Sequence, residues 1–265
     1  MKRIFLAGWI CLAAGSSVWA QPKPLTMEAM KSAEQVDAVT IPTAGEFFSA
    51  MDSVGRPAWS HFVRQGGPPP SDSRAVIALQ LGTYVADGYV AVEAQDGQAV
   101  KNTGKEILAL AKRLNVNQTV LGRANSLSDF AENNDWNALR EELEATQNEV
   151  KLDMSEQKDD QLISLVSLGA WIRGVEIVSQ IISKTYSPEG ARLLRQPAII
   201  EYLIDEIDDL PDSTKEEAIL RKIRASLQEA LGFVSDPTPS EEQVRLLHAI
   251  MKSLYEAIEG KPATQ

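Results

Sequence analysis

Apolar residues recur along this chain at steps of three and four, the spacing of one face of a helix. Between Ser240 and Gly260, Val244, Leu247, Met251, Leu254 and Ile258 fall on one stripe, while Glu241, Glu242, Lys252, Glu256 and Glu259 take the other faces. That pattern predicts an amphipathic helix of about five turns. Ser240 followed three residues later by Gln243 has the form of a capping box, in which each side chain satisfies a backbone N–H at the helix start.

The same grammar recurs upstream. Ser213 with Glu216 opens a predicted helix carrying Ile219, Ile223, Leu227 and Leu231 on one face, closing near Gly232 ahead of Pro237 and Pro239. Thr43 with Glu46 opens another through Phe47, Phe48 and Met51, which Gly55 and Pro57 stop. Ser187 before Pro188 reads as an N-cap with proline at the first helical position, where its missing N–H costs nothing. No strict apolar and polar alternation broken by hairpin dipeptides is found, which argues against a sheet.

Helices are predicted over 26–35, 43–54, 57–65, 73–96, 98–114, 127–133, 135–157, 159–184, 188–194, 197–209, 213–232 and 240–259. The fold class is therefore all-α, a multi-helix antiparallel bundle around two apolar central helices, 73–96 and 159–184. Residues 21–42 read as an arm, 43–260 as a single helical domain and 261–265 as a frayed tail. Gly66, Gly67 and the prolines at 68–70 make a rigid break.

The two central segments differ from the rest because Val76–Val92 and Leu162–Ile182 are apolar nearly all round, as befits helices enclosed by others. Each holds a similar phrase, Leu81-Gly82-Thr83-Tyr84-Val85 and Leu168-Gly169-Ala170-Trp171-Ile172. A mid-helix glycine costs about 1 kcal/mol relative to alanine, so its use in both phrases predicts that the two backbones cross there. The phrase is too short to establish a duplication, and it does not recur in tandem as a helical repeat would.

Charge inside these segments is the most informative chemistry. Asp87 lies in the first apolar run, Arg173 in the second, and Glu176 follows one turn on. An ionised group on an enclosed helix is costly unless paired. If the helices pack in register at their glycines, Asp87 and Arg173 meet, either as a structural ion pair or as the lining of a polar pocket for a small anionic or zwitterionic ligand. Arg192 and Arg195, flanking Leu193 and Leu194, either neutralise an acidic helix or hold a carboxylate or phosphate.

Other chemistry is poorly supported. His61 and His248 are the only histidines, and neither belongs to a metal-binding spacing, so no metal or cofactor is expected. There is no Gly-x-Ser-x-Gly elbow for a nucleophilic serine. The acidic group Glu206, Asp208, Asp209 and Asp212 lacks the form of a calcium loop and reads as a solvated helix end, although the helix dipole there disfavours negative charge and leaves room for a basic partner. Asn117-Gln118-Thr119 matches a glycosylation sequon that bacterial export would leave silent.

Composition adds a destination. Lys2 and Arg3, the apolar run Ile4–Ala14, and Val18-Trp19-Ala20 have the form of a cleavable export signal over residues 1–20. The only cysteine, Cys11, lies inside it after Ile10, a residue too large for a lipid-attachment site. The chain carries 26 basic and 37 acidic side chains, a formal charge of −11. Cleavage removes two basic residues, taking the charge to −13, which disfavours binding to nucleic acid. No later stretch has about 18 consecutive apolar residues, so no transmembrane segment is expected in the mature chain.

These readings lead to an exported, periplasmic or extracellular helical protein that acts without catalysis as a binding or interaction module, its partner another envelope protein. A small-ligand-binding bundle with Asp87, Arg173 and Glu176 at its pocket comes second, and a carboxylate-based hydrolase third.

Overall fold

The computed structural model describes residues 44–51, 57–116 and 124–260. The expected export signal, arm, tail, helix 26–35, Thr43 cap and Asn117 sequon lie outside them. The described chain runs through α1 (Ala44–Met51), a 3-10 turn (Trp59–Phe62), α2 (Arg74–Glu93), α3 (Gly97–Arg113), α4 (Ala124–Glu132), α5 (Trp136–Glu156), α6 (Asp160–Lys184) and α7 (Pro188–Leu193). It continues through α8 (Pro197–Asp208), α9 (Asp212–Lys215), α10 (Ala218–Val234) and α11 (Glu241–Ile258), with no strand among the described residues. The all-α bundle is thus the observed architecture.

Its centre is the pair α2 and α6, which share the most extensive helix contact in the molecule. Both are long and apolar enough, by length and composition, to cross a membrane, a property that counting uninterrupted apolar residues did not register. Their most apolar windows are 94% and 89% buried against other helices. The crossing lies at the two glycines. A Cβ built on Gly82 would fall 2.0 Å from the Val166 carbonyl oxygen, and one on Gly169 would fall 2.1 Å from that of Leu79. Neither distance admits a methyl group, so backbone packs on backbone and the helices approach more closely than side chains allow.

Around this pair α11 lies on α6, and α3 lies on α2. In α11 the stripe Val244, Leu247, Met251, Leu254 and Ile258 is buried throughout. The capping box is complete: the Gln243 N–H donates to Ser240 Oγ at 3.2 Å and the Ser240 N–H to Gln243 Oε1 at 2.7 Å. Ser187 likewise caps α7 by accepting from the Gly190 N–H at 3.0 Å.

Two predicted helices differ from the structure for physical reasons. The span 57–65 contains only the 3-10 turn: at Val63 the backbone leaves the helical conformation (ψ 123°), and the freed Phe62 carbonyl accepts from Arg173 Nη2 at 3.1 Å. The span 213–232 is broken: α9 ends at Lys215, and Ser213 makes no cap. Glu217 stands outside α10 in an extended conformation, its carboxylate accepting from Ser73 Oγ at 2.7 Å. The buried face of α10 is Leu220, Ile223, Leu227, Ala230 and Val234, with Ile219 and Leu231 only partly covered. Gly232 does not end this helix, which runs to Val234 ahead of Pro237.

Candidate functional site

From the crossing glycines, Asp87 follows about one turn and a half along α2, and Arg173 about one turn along α6. Packing in register therefore sets the two charges opposite each other. Arg173 Nε donates to Asp87 Oδ1 at 2.8 Å, and the side chains are 8% and 0% exposed. Arg173 Nη1 donates to Glu176 Oε2, one turn along the same helix. With Nη2 on the Phe62 carbonyl, every nitrogen of this guanidinium has an acceptor.

The network extends past the residues that the sequence suggested. Arg64, just after the 3-10 turn, places Nε 2.9 Å from Asp87 Oδ2 and Nη2 against Glu259 Oε2, beyond the end of α11. Its Nη2 also donates to the Tyr255 hydroxyl at 3.1 Å. The guanidinium of Arg64 lies over the Tyr84 ring, 3.7 Å from Cζ to centroid, and that of Arg173 over Tyr255 at 4.3 Å. These cation–π contacts supply the attraction that water would give the guanidinium faces. Thr83 Oγ1 reaches Glu259 Oε1 at 3.3 Å, while Gln80 Nε2 holds the carbonyls of Pro69 and Ile258 at 3.2 and 3.3 Å.

Electrostatics keep both arginines charged. Burial works against the charge of each, but Asp87, aided by Tyr255 and the nearby glutamate, raises both above the ordinary arginine value. Burial pushes the Tyr255 and Tyr84 hydroxyls up, with Asp87 adding to the effect at Tyr255 and Glu259 at Tyr84, so both stay protonated. Among the described residues the cluster sets three carboxylates, Asp87, Glu176 and Glu259, against the guanidinia of Arg64 and Arg173.

Asp87, Arg173 and Glu176 thus come together, Arg173 contacting both carboxylates. Arg192 is exposed and turns to Thr238 Oγ1 at 3.3 Å and Glu189 at 3.7 Å, while Arg195 is half-buried in the loop after α7. Sequence reasoning missed Arg64 and Glu259, which sit at the edges of predicted helices and resemble solvated charges there. One signal was present: two carboxylates with one arginine inside an apolar core demanded a second cation.

Beside the network lies a cleft of about 380 Å³ between Val63–Gly67 and the first half of α3. Arg64, Tyr84, Asn102, Lys105 and Glu106 contribute to its walls. Arg64 Nε and Nη2 face the carboxylates, which leaves Nη1 buried without an acceptor. Asp96, also on the wall, is occupied in capping α3 through the Ala99 N–H at 2.9 Å. A second, apolar hollow among α2, α3 and α5 holds only about 40 Å³.

The remaining candidates are accounted for locally. His61 is exposed, and His248 is half-buried with Nδ1 3.2 Å from the Glu176 carbonyl oxygen. Asp208 has a basic partner within the chain, taking both Nε and Nη2 of Arg224 at 2.6 and 2.7 Å. Asp212 pairs with Lys215 at 2.8 Å, and Glu206 accepts from Ser164 Oγ. Among the described residues no three of His, Cys, Asp or Glu are grouped to hold a metal ion. Set against known proteins, the chain matches no family model, no curated protein and no solved structure.

Proposed function

We propose that the protein is an exported, non-catalytic binding module whose ligand is a small molecule held in the cleft between Val63–Gly67 and α3. The observation that carries this reading is the cleft itself. Its volume of about 380 Å³ lies within the range of small-molecule sites, and a buried, charged side chain with an unused donor reaches its wall. The binding role passes from the interface of the central helices, where charges satisfy one another, to the flank of α2.

The other readings find less support. A protein-contact role calls for an apolar patch, and among the described residues Leu246 is the exposed large hydrophobic side chain. A carboxylate-based hydrolase would need an acid and a base across the cleft; Asp96 and Glu106 share its wall, but Asp96 serves as a helix cap. Export rests on the pattern of residues 1–20, and N-terminal sequencing of the secreted or periplasmic protein should begin at Gln21.

A thermal-shift screen against a chemically varied metabolite library tests the binding role, because a ligand of the native state raises the melting temperature. At least one compound should shift wild type and fail to shift Asn102→Trp, in which an indole fills the cleft. Shifts that persist unchanged in Asn102→Trp, or no shift from any compound, would overturn it.

A further inference from the structure

The cleft has a charge pattern that selects among small molecules. Lys105 and Glu106 both line it, and neither has a hydrogen-bond or ion-pair partner among the described residues. The Glu106 carboxylate stands over Gly67, its Cδ 3.6 Å from where a Cβ would be, and lies near enough to Tyr84 to act on its hydroxyl. Arg64 Nη1 adds a buried donor with no acceptor. The Val63–Gly67 side therefore contributes the arginine, and α3 contributes both a lysine and a carboxylate.

The balance of the buried network decides what such a site prefers. Arg64 is neutralised by Asp87 and Glu259, so it offers directed N–H groups with little net positive field. A simple anion would gain those donors but would meet the Glu106 carboxylate on the same wall as Lys105. A simple cation would satisfy Glu106 and leave the donors of Arg64 empty. A molecule carrying both charges avoids both penalties.

We propose that this cleft takes a small zwitterion of the free amino acid class, with its carboxylate on Arg64 Nη1 and Lys105 and its ammonium on Glu106. The inference rests on the reading of the cleft as the binding site. Nη1 is shielded from water in the free protein, so the carboxylate reaches it only when the atoms that cover it give way.

The full-length protein is titrated calorimetrically with each common free α-amino acid, with their N-acetyl derivatives and with their amides. At least one free amino acid should bind. Its N-acetyl derivative, lacking the ammonium, and its amide, lacking the carboxylate, should each bind roughly tenfold or more weakly. Glu106→Gln, folded by circular dichroism, should lose the same factor for the free amino acid and little for the N-acetyl form. Lys105→Ala should weaken the free acid and leave the amide unchanged. Equal binding of free and N-acetyl forms, or indifference to Glu106→Gln, would overturn the proposal. If no amino acid binds while another compound gives a shift sensitive to Asn102→Trp, the zwitterion assignment fails and the cleft reading stands. If no compound binds at all, both fail.

Discussion

Asp87 and Arg173 meet at 2.8 Å because their helices cross at glycines, and the same carboxylate also faces Arg64 through its second oxygen at 2.9 Å. One buried carboxylate thus bridges two cations from different parts of the chain, with Glu259 and Glu176 supplying the remaining negative charge. Asp87→Ala should cost about 3–5 kcal/mol, the range for an ion left buried without its partner. The shift of the urea midpoint at unchanged slope measures the loss.

The glycine crossing makes an opposed pair of expectations. Gly169→Ala sets a methyl group 2.1 Å from the Leu79 carbonyl oxygen, so the helices must separate. The cost should reach or exceed about 3 kcal/mol, the upper part of the usual range for overpacking. Gly232→Ala, in α10 where nothing lies within 4 Å, should instead gain up to about 1 kcal/mol from helix propensity alone. Thermal denaturation of both variants beside wild type separates close approach from intrinsic preference.

His248 gives the fold a dependence on pH. Burial lowers its pKa below the ordinary 6.5, outweighing the nearby Glu176, while Lys252 and Lys184 act in the same direction as burial. Between the folded and unfolded values the unfolded chain binds more protons, so stability declines as the pH falls from about 6.5. The drop in melting temperature from about pH 7.5 to 5.5 should be smaller in His248→Gln than in wild type.

The capping box at the head of α11 offers a local test. Ser240→Ala removes the acceptor of the Gln243 N–H and should cost about 1 kcal/mol, read from urea denaturation. Arg224→Ala, by contrast, removes a two-bond but exposed pair with Asp208 and should cost no more than about 1 kcal/mol, shrinking further at high salt.

Much of the fold could be read in the sequence wherever a local rule and a tertiary demand agreed. The Val244-to-Ile258 stripe, the Ser240 and Ser187 caps and the Gly82–Gly169 crossing each follow from spacing or from a residue that tolerates little else. The pairing of Asp87 with Arg173 was legible for the same reason, since burial left few alternatives. Ser213 shows the opposite case: its capping pattern is genuine as a local preference, but Glu217 reaches Ser73 across the molecule and delays the helix. Arg64 and Glu259 were illegible because their burial arises from a contact between segments nearly two hundred residues apart, which no local window contains.

That long-range contact governs when the molecule becomes whole. Arg64, Asp87 and Arg173 all leave the ribosome ahead of Glu259, and the interior cannot complete its charge pattern until Glu259 has been made. Chains cut short before that point should leave Arg64 without one of its two carboxylates and, where α11 is lost, expose the face of α6 that it covers, which favours aggregation.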